Sequence, residues 1–165
     1  QAEVKEQFES AYQAFNALLQ LETSDLEVRY ETLNEAYKDS VAKAEELEDR
    51  VDAIESVAQA LFDEWKQELN EYQSASLKAS SAKKLRVTKS RYQNYLRSLK
   101  RAESKVAPVL AIFKDQVLYL KHNLNAEKVS ALKVEVRRFD TDVKSLVKEM
   151  DRSIRDARKF IQGLE

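Results

Sequence analysis

The side chains in this sequence that could do chemistry are few in kind. It has one histidine, His122, and no cysteine. Carboxylates are plentiful, with adjacent pairs at Glu45-Glu46, Glu48-Asp49 and Asp63-Glu64. Paired carboxylates can act as general acid and base, or hold a di-metal centre inside a helical bundle. The metal site needs a Glu-x-x-His pair on each of two helices, and no Glu stands three residues before His122. At the end of a helix, His122 is better explained as a solvent-facing cation that suits the helix dipole. A single glycine leaves no Gly-rich loop or P-loop, and no Ser/His/Asp set can be assembled. The sequence therefore argues against an enzyme, and it assigns no catalytic residue, metal ligand or cofactor.

The elements that carry these groups are long helices. One Gly and one Pro in 165 residues leave almost no turns for a sheet, while 43% hydrophobic and 35% charged residues suit a core with a charged exterior, so the class is all-α. No apolar run approaches the roughly 20 residues of a membrane span. The organising stretch runs from Leu26 to Tyr72. Every seventh residue gives Tyr30, Tyr37, Ala44, Val51, Ala58, Trp65 and Tyr72, interleaved with Leu26, Leu33, Ser40, Leu47, Ile54, Leu61 and Glu68. A straight helix of period 3.6 drifts off such a seam, so it requires supercoiling against partner helices.

Before this stretch, Val4, Phe8, Ala11, Phe15 and Leu18 predict a shorter amphipathic helix. Thr23 to Glu27 reads as a turn and capping box with Ser24 as N-cap. After it, Ser74 to Ser76 offers hydroxyl caps. A third helix then carries Leu85, Tyr92, Leu99, Val106, Phe113 and Leu120 and is expected to kink, not break, at Pro108. Asn125 caps a last helix bearing Val129, Val136, Phe139, Val143, Leu146, Met150 and Phe160, and Gly163 fits its stop. The expectation is one domain over 1–165, an elongated antiparallel bundle with helices about 1–21, 25–73, 76–123 and 126–162. Leu47, Ile54, Leu61, Leu99, Val106, Phe113, Phe139 and Leu146 are its predicted core.

Short connections make successive helices antiparallel neighbours. Folding about Ala75 places Trp65 opposite Leu85, Leu47 opposite Ala102, Ser40 opposite Leu110 and Glu68 beside Lys83 and Lys84. Charge supports that pairing. Residues 45–72 hold ten acids and two bases, and residues 78–105 hold ten bases and one acid. The basic run with Tyr92 and Tyr95 resembles a phosphate-binding face, but the matching acidic helix and a net charge of −1 make it one flank of a hairpin, with no nucleic-acid partner. Such surface pairs select register and contribute under about 1 kcal/mol each.

Folding back the first helix covers the organising helix to about residue 45, and folding back the last covers it to about residue 62. Residues 63–87 are then a two-helix tip carrying Trp65, Leu69, Tyr72, Leu77 and Leu85. Either these side chains close the hairpin on itself, or Trp65, Leu69, Tyr72 and Leu77 form an apolar patch rimmed by Asp63, Glu64, Lys83 and Lys84 that binds a protein partner or a second copy.

Ala60-Leu61-Phe62-Asp63-Glu64-Trp65 and the run from Pro108 through Phe113 and His122 to Ala126 resemble the hallmark blocks of a bacterial family known as domain of unknown function 2959, across the whole chain. The family has no established activity to carry over. Its precursors resemble envelope lipoproteins, with a signal peptide, a lipid-modified cysteine and further helix upstream. The resemblance thus implies a periplasmic location and a membrane anchor in the precursor. A chain that starts at Gln1 and lacks cysteine reads as a mature or trimmed form, without the anchor. The leading expectation is a non-enzymatic scaffold or adaptor of the cell envelope acting through protein contacts. A lipid-surface binding module and a carboxylate metal-binding bundle are the alternatives.

Overall fold

A computed structural model describes residues 1–19, 26–124 and 133–164. The described residues form α-helices: α1 (Ala2–Leu19), α2 (Leu26–Glu68), α3 (Ala75–Ser104), α4 (Val106–Lys121) and α5 (Lys133–Gln162). The all-α class follows from the composition. The capping box at Ser24 and the N-cap at Asn125 lie outside the described residues.

Each helix buries one stripe. On α1 it is Val4, Phe8, Ala11 and Phe15, and on α5 it is Phe139, Val143, Leu146, Met150 and Ser153. These follow the three- and four-residue spacing of one helix face. α1 packs on α2 and α5, and α5 packs on α3 and α4, so the wide end is a four-cornered bundle. Aromatic edges lock it. Phe113 meets Tyr37 at 5.4 Å and Phe139 at 5.2 Å between ring centroids, and Phe139 also meets Phe15 at 5.8 Å. Such contacts are worth roughly 0.5–1.5 kcal/mol each beyond burial. Ser40 is fully buried there, and its hydroxyl donates to the Ala36 carbonyl at 2.7 Å, so it needs no partner from another helix.

Three expectations are corrected. The third helix is interrupted: Lys105 turns between α3 and α4, its N–H donating to the Ala102 carbonyl at 3.1 Å. Its backbone stays in the right-handed helical region, at φ −84° and ψ −15°. Pro108 therefore falls in the first turn of α4, where a missing N–H costs nothing. Leu61 is 52% exposed and Ile54 is also exposed, while Phe62 takes the core position. Glu68 is exposed, and among the described residues no ion pair joins it to Lys83 or Lys84. Gly163 directly follows α5, as expected of its stop, and does so without a positive φ. Its missing side chain instead leaves room for the Arg91 guanidinium, which donates to the Gly163 carbonyl at 2.7 Å.

The other predicted core residues, Leu47, Leu99, Val106, Phe113, Phe139 and Leu146, are all buried. The hairpin register also agrees to within about five residues. Tyr37 meets Phe113, Phe62 meets Tyr92 at 5.5 Å, and Lys100 reaches Glu55 at 2.8 Å.

Candidate interaction surface

At its narrow end the bundle closes on an aromatic cluster. Phe62 from α2, Tyr92 and Tyr95 from α3, and Phe160 from α5 converge, with Tyr95 stacked on Phe160 at 6.0 Å. Burial pushes the hydroxyls of Tyr92 and Tyr95 up from the usual phenol range, so both stay neutral. Arg91, bonded to the end of α5, marks the same level. Beyond it, α2 and α3 continue as a hairpin of two helices.

The sequence-proposed anchors all lie on this hairpin, but they behave differently. Trp65 is half-buried, and its indole Nε1 donates to Ser81 Oγ at 2.8 Å, across the hairpin. A satisfied indole of this kind ties α2 to α3. Leu69 is half-buried in the turn that ends α2, where its N–H donates to the Trp65 carbonyl at 3.2 Å. Tyr72 is 41% exposed and Leu77 is 59% exposed. Leu77 is held in the first turn of α3 by Ser74, the N-cap, whose hydroxyl accepts from its N–H at 3.4 Å. Lys83 and Lys84 are exposed on the same helix. The hairpin thus turns Trp65 inward and leaves Tyr72, Leu77 and the two lysines to solvent.

A second apolar stripe was missed from the sequence. Ile54, Val57 and Leu61 lie at three- and four-residue spacing on α2, and Val57 is 70% exposed. The available signal was the reach of α1. A helix that covers α2 only to about residue 45 cannot cover seam residues at 54 and 61, and Val57 lies beside them.

Among the described residues, several of the groups that could do acid–base or metal chemistry are held in ion pairs or in solvent. His122 is exposed just past α4. Lys100 is raised above the usual amine range by its hydrogen bond to Glu55, and Asp140 is lowered by its bond to Lys144 at 2.7 Å. Glu103 is pushed up by burial, near Lys100 and the carboxylates of Glu48, Asp52 and Glu55. A surface groove of about 550 Å³ between α1 and α5 has Tyr12, Val143 and Val147 in its walls, and its charged residues include Asp140 with Lys144 and Asp151, which Lys5 meets at 2.9 Å. Among the described residues, no group of three or more His, Asp or Glu side chains is placed to hold a metal ion. Among them too, no helix is long and apolar enough to cross a membrane.

Neither a curated protein nor a solved structure matches the chain. A family model described as a protein of unknown function, DUF2959, matches residues 1–164, and the chain belongs to that family.

Proposed function

We propose that this chain is a non-enzymatic structural or adaptor protein of the bacterial cell envelope, working through protein contacts made by the hairpin that projects past the bundle. The observation that carries this reading is the exposure of Tyr72 and Leu77 at the tip of a hairpin tied across by Trp65 and Ser81. An exposed amphipathic aromatic and an exposed apolar side chain at one tip, on a hairpin that also exposes Asp63, Glu64, Lys83 and Lys84, suit an interface anchor with a polar rim. The envelope location rests on the lipoprotein-like precursors of the family.

Replacing Tyr72 and Leu77 together with serine tests the reading. Helicity and melting should stay nearly unchanged while capture of envelope proteins by the purified chain falls. A double variant that unfolds early, with capture unaltered, would make the tip part of the core and end this reading. The lipid-surface alternative has less support. The basic helix α3 is interleaved with acids, Glu55 on Lys100 and Glu149 at 3.9 Å from Arg101, whereas an anionic membrane calls for an uninterrupted basic face. Co-sedimentation with anionic liposomes checks it.

A further inference from the structure

From Ser74 to Ala102 the chain carries nine bases and no acid. The acidic helix beside it takes up few of them. Among the described residues, ion pairs reach only Lys100, 2.8 Å from Glu55, and Arg101, 3.9 Å from Glu149. The Lys100 pair marks one flank of α3 that lies beside α2. Counted back from Lys100 in steps of three and four, that flank runs through Leu96, Gln93, Lys89, Arg86, Ala82 and Lys78. On α2 the facing flank runs from Glu55 through Gln59 to Lys66 and Asn70. Between the two flanks lies a groove of about 430 Å³, with Gln59 and Phe62 of α2 and Lys89, Tyr92, Gln93 and Leu96 of α3 in its walls.

Past the pair of Glu55 and Lys100 this side of the hairpin is basic. Lys66, Lys78, Arg86 and Lys89 are exposed, and Asp63, the carboxylate of α2 on the same flank, accepts from Gln59 Nε2 at 2.8 Å. The contacts of Phe62 with Tyr92 and of Trp65 with Ser81 bring Lys66 level with the turn that carries Arg86. Tyr92 is buried, and its hydroxyl has no hydrogen-bond partner among the described residues. We propose that this groove docks an acidic helix of a partner protein, laid along α3 with carboxylates at three- and four-residue spacing against Lys89, Arg86 and Lys78.

Charge complementarity selects the occupant. Lys78 to Lys89 is a line of cations about 16 Å long, and the groove beside it is bounded by two helices whose rows have the spacing of a third. A bilayer is met through apolar side chains on the basic face or through a broad basic field. Leu77 and Val87, the exposed apolar residues of α3, stand outside the series that carries Lys78 and Lys89, and Glu64, Glu68 and Glu71 of the same hairpin repel an anionic plane. A net charge of −1 argues against a nucleic acid. Phe62 is already buried and Leu96 half-buried, so docking gains little apolar area and makes a fast, salt-sensitive contact. This inference rests on the reading of the chain as one that works through protein contacts, but it uses the flank of the hairpin and not its apex at Tyr72 and Leu77.

The probe is a fluorescent alanine-based peptide of about 20 residues, roughly 30 Å long as a helix, with glutamates alternately three and four residues apart. Its anisotropy should report saturable binding to the unaltered chain that weakens as salt rises. Arg86→Glu with Lys89→Glu should weaken binding by about tenfold or more, whereas Lys83→Glu with Lys84→Glu, the same change of charge outside the groove, should weaken it by less than about threefold. All four side chains are exposed, so helicity and melting should hold in both variants. If charge reversal disturbs the fold, Arg86→Gln with Lys89→Gln should give a smaller loss in the same direction. Absence of saturable binding overturns the proposal, and so does an equal loss in the two charge-reversed pairs. Phosphatidylglycerol vesicles or an oligothymidylate that bind more tightly than the peptide at equal charge also overturn it, in favour of a lipid surface or a nucleic acid. The variant with serine at Tyr72 and Leu77 should bind the peptide as the unaltered chain does, so loss of capture at the apex and loss of docking in the groove are separate readings.

Discussion

At the scale of single residues, neighbours 61 and 62 on α2 have opposite fates. Leu61 occupies a seam position of the heptad, yet it is 52% exposed, while Phe62, one position on, is buried against Tyr92. The seam that α2 offers is shared by two neighbours. Side chains turned toward α3 are covered along most of its length, and those turned toward α1 are covered only up to about Arg50. Phe62→Ala should therefore cost about 3–5 kcal/mol, as for buried aromatics generally, and Leu61→Ala should stay within about 0.5 kcal/mol. Chemical denaturation of the two variants side by side checks this. A larger loss at Leu61 than at Phe62 would mean the core runs along the other edge of α2.

At the scale of elements, the junction of α3 and α4 shows how the chain accommodates its one proline. Pro108 cannot donate to the Ser104 carbonyl, and its ring crowds that carbonyl. The helix responds by tightening at Lys105, whose N–H reaches back three residues, and by starting a new ladder in which Pro108 occupies a first-turn site. The Ser104 hydroxyl turns back to the Arg101 carbonyl at 2.8 Å. The apolar stripe passes through without losing its facing, since Leu99, Ala102, Val106 and Val109 are all buried. Pro108→Ala restores the missing donor, so the ladder should run unbroken from α3 into α4, with stability unchanged or raised. A crystal structure of the variant decides the matter: a persisting interruption at Lys105 would assign the bend to packing and not to proline.

At the scale of the whole molecule, order should fall from the wide end to the tip. The four-cornered section buries Phe8, Phe15, Phe113 and Phe139 together, whereas residues 70–80 are all exposed. Local opening follows buried contact, so the backbone amides of residues 66–80 should exchange fastest among the helical segments, and those of Phe113 to Leu120 and Phe139 to Met150 slowest. Hydrogen exchange read by mass spectrometry measures the gradient. A tip protected as strongly as the wide end would show that a covering partner or second copy is already in place in the sample.

The sequence by itself determined what depends on local periodicity and composition: helices throughout, the stripes of α1 and α5, the pairing of an acidic helix with a basic one, and the Ser74 cap. It also located the projecting tip, because helix lengths and turn positions are counted along the chain. Only the tertiary structure decided which flank of the α2 seam each neighbour takes. That choice buried Phe62, exposed Ile54, Val57 and Leu61, and turned the Trp65 indole inward to Ser81. The physical reason is that a heptad records which residues face a partner but not how far along the helix that partner extends. A side chain leaves water only where another helix is present to cover it.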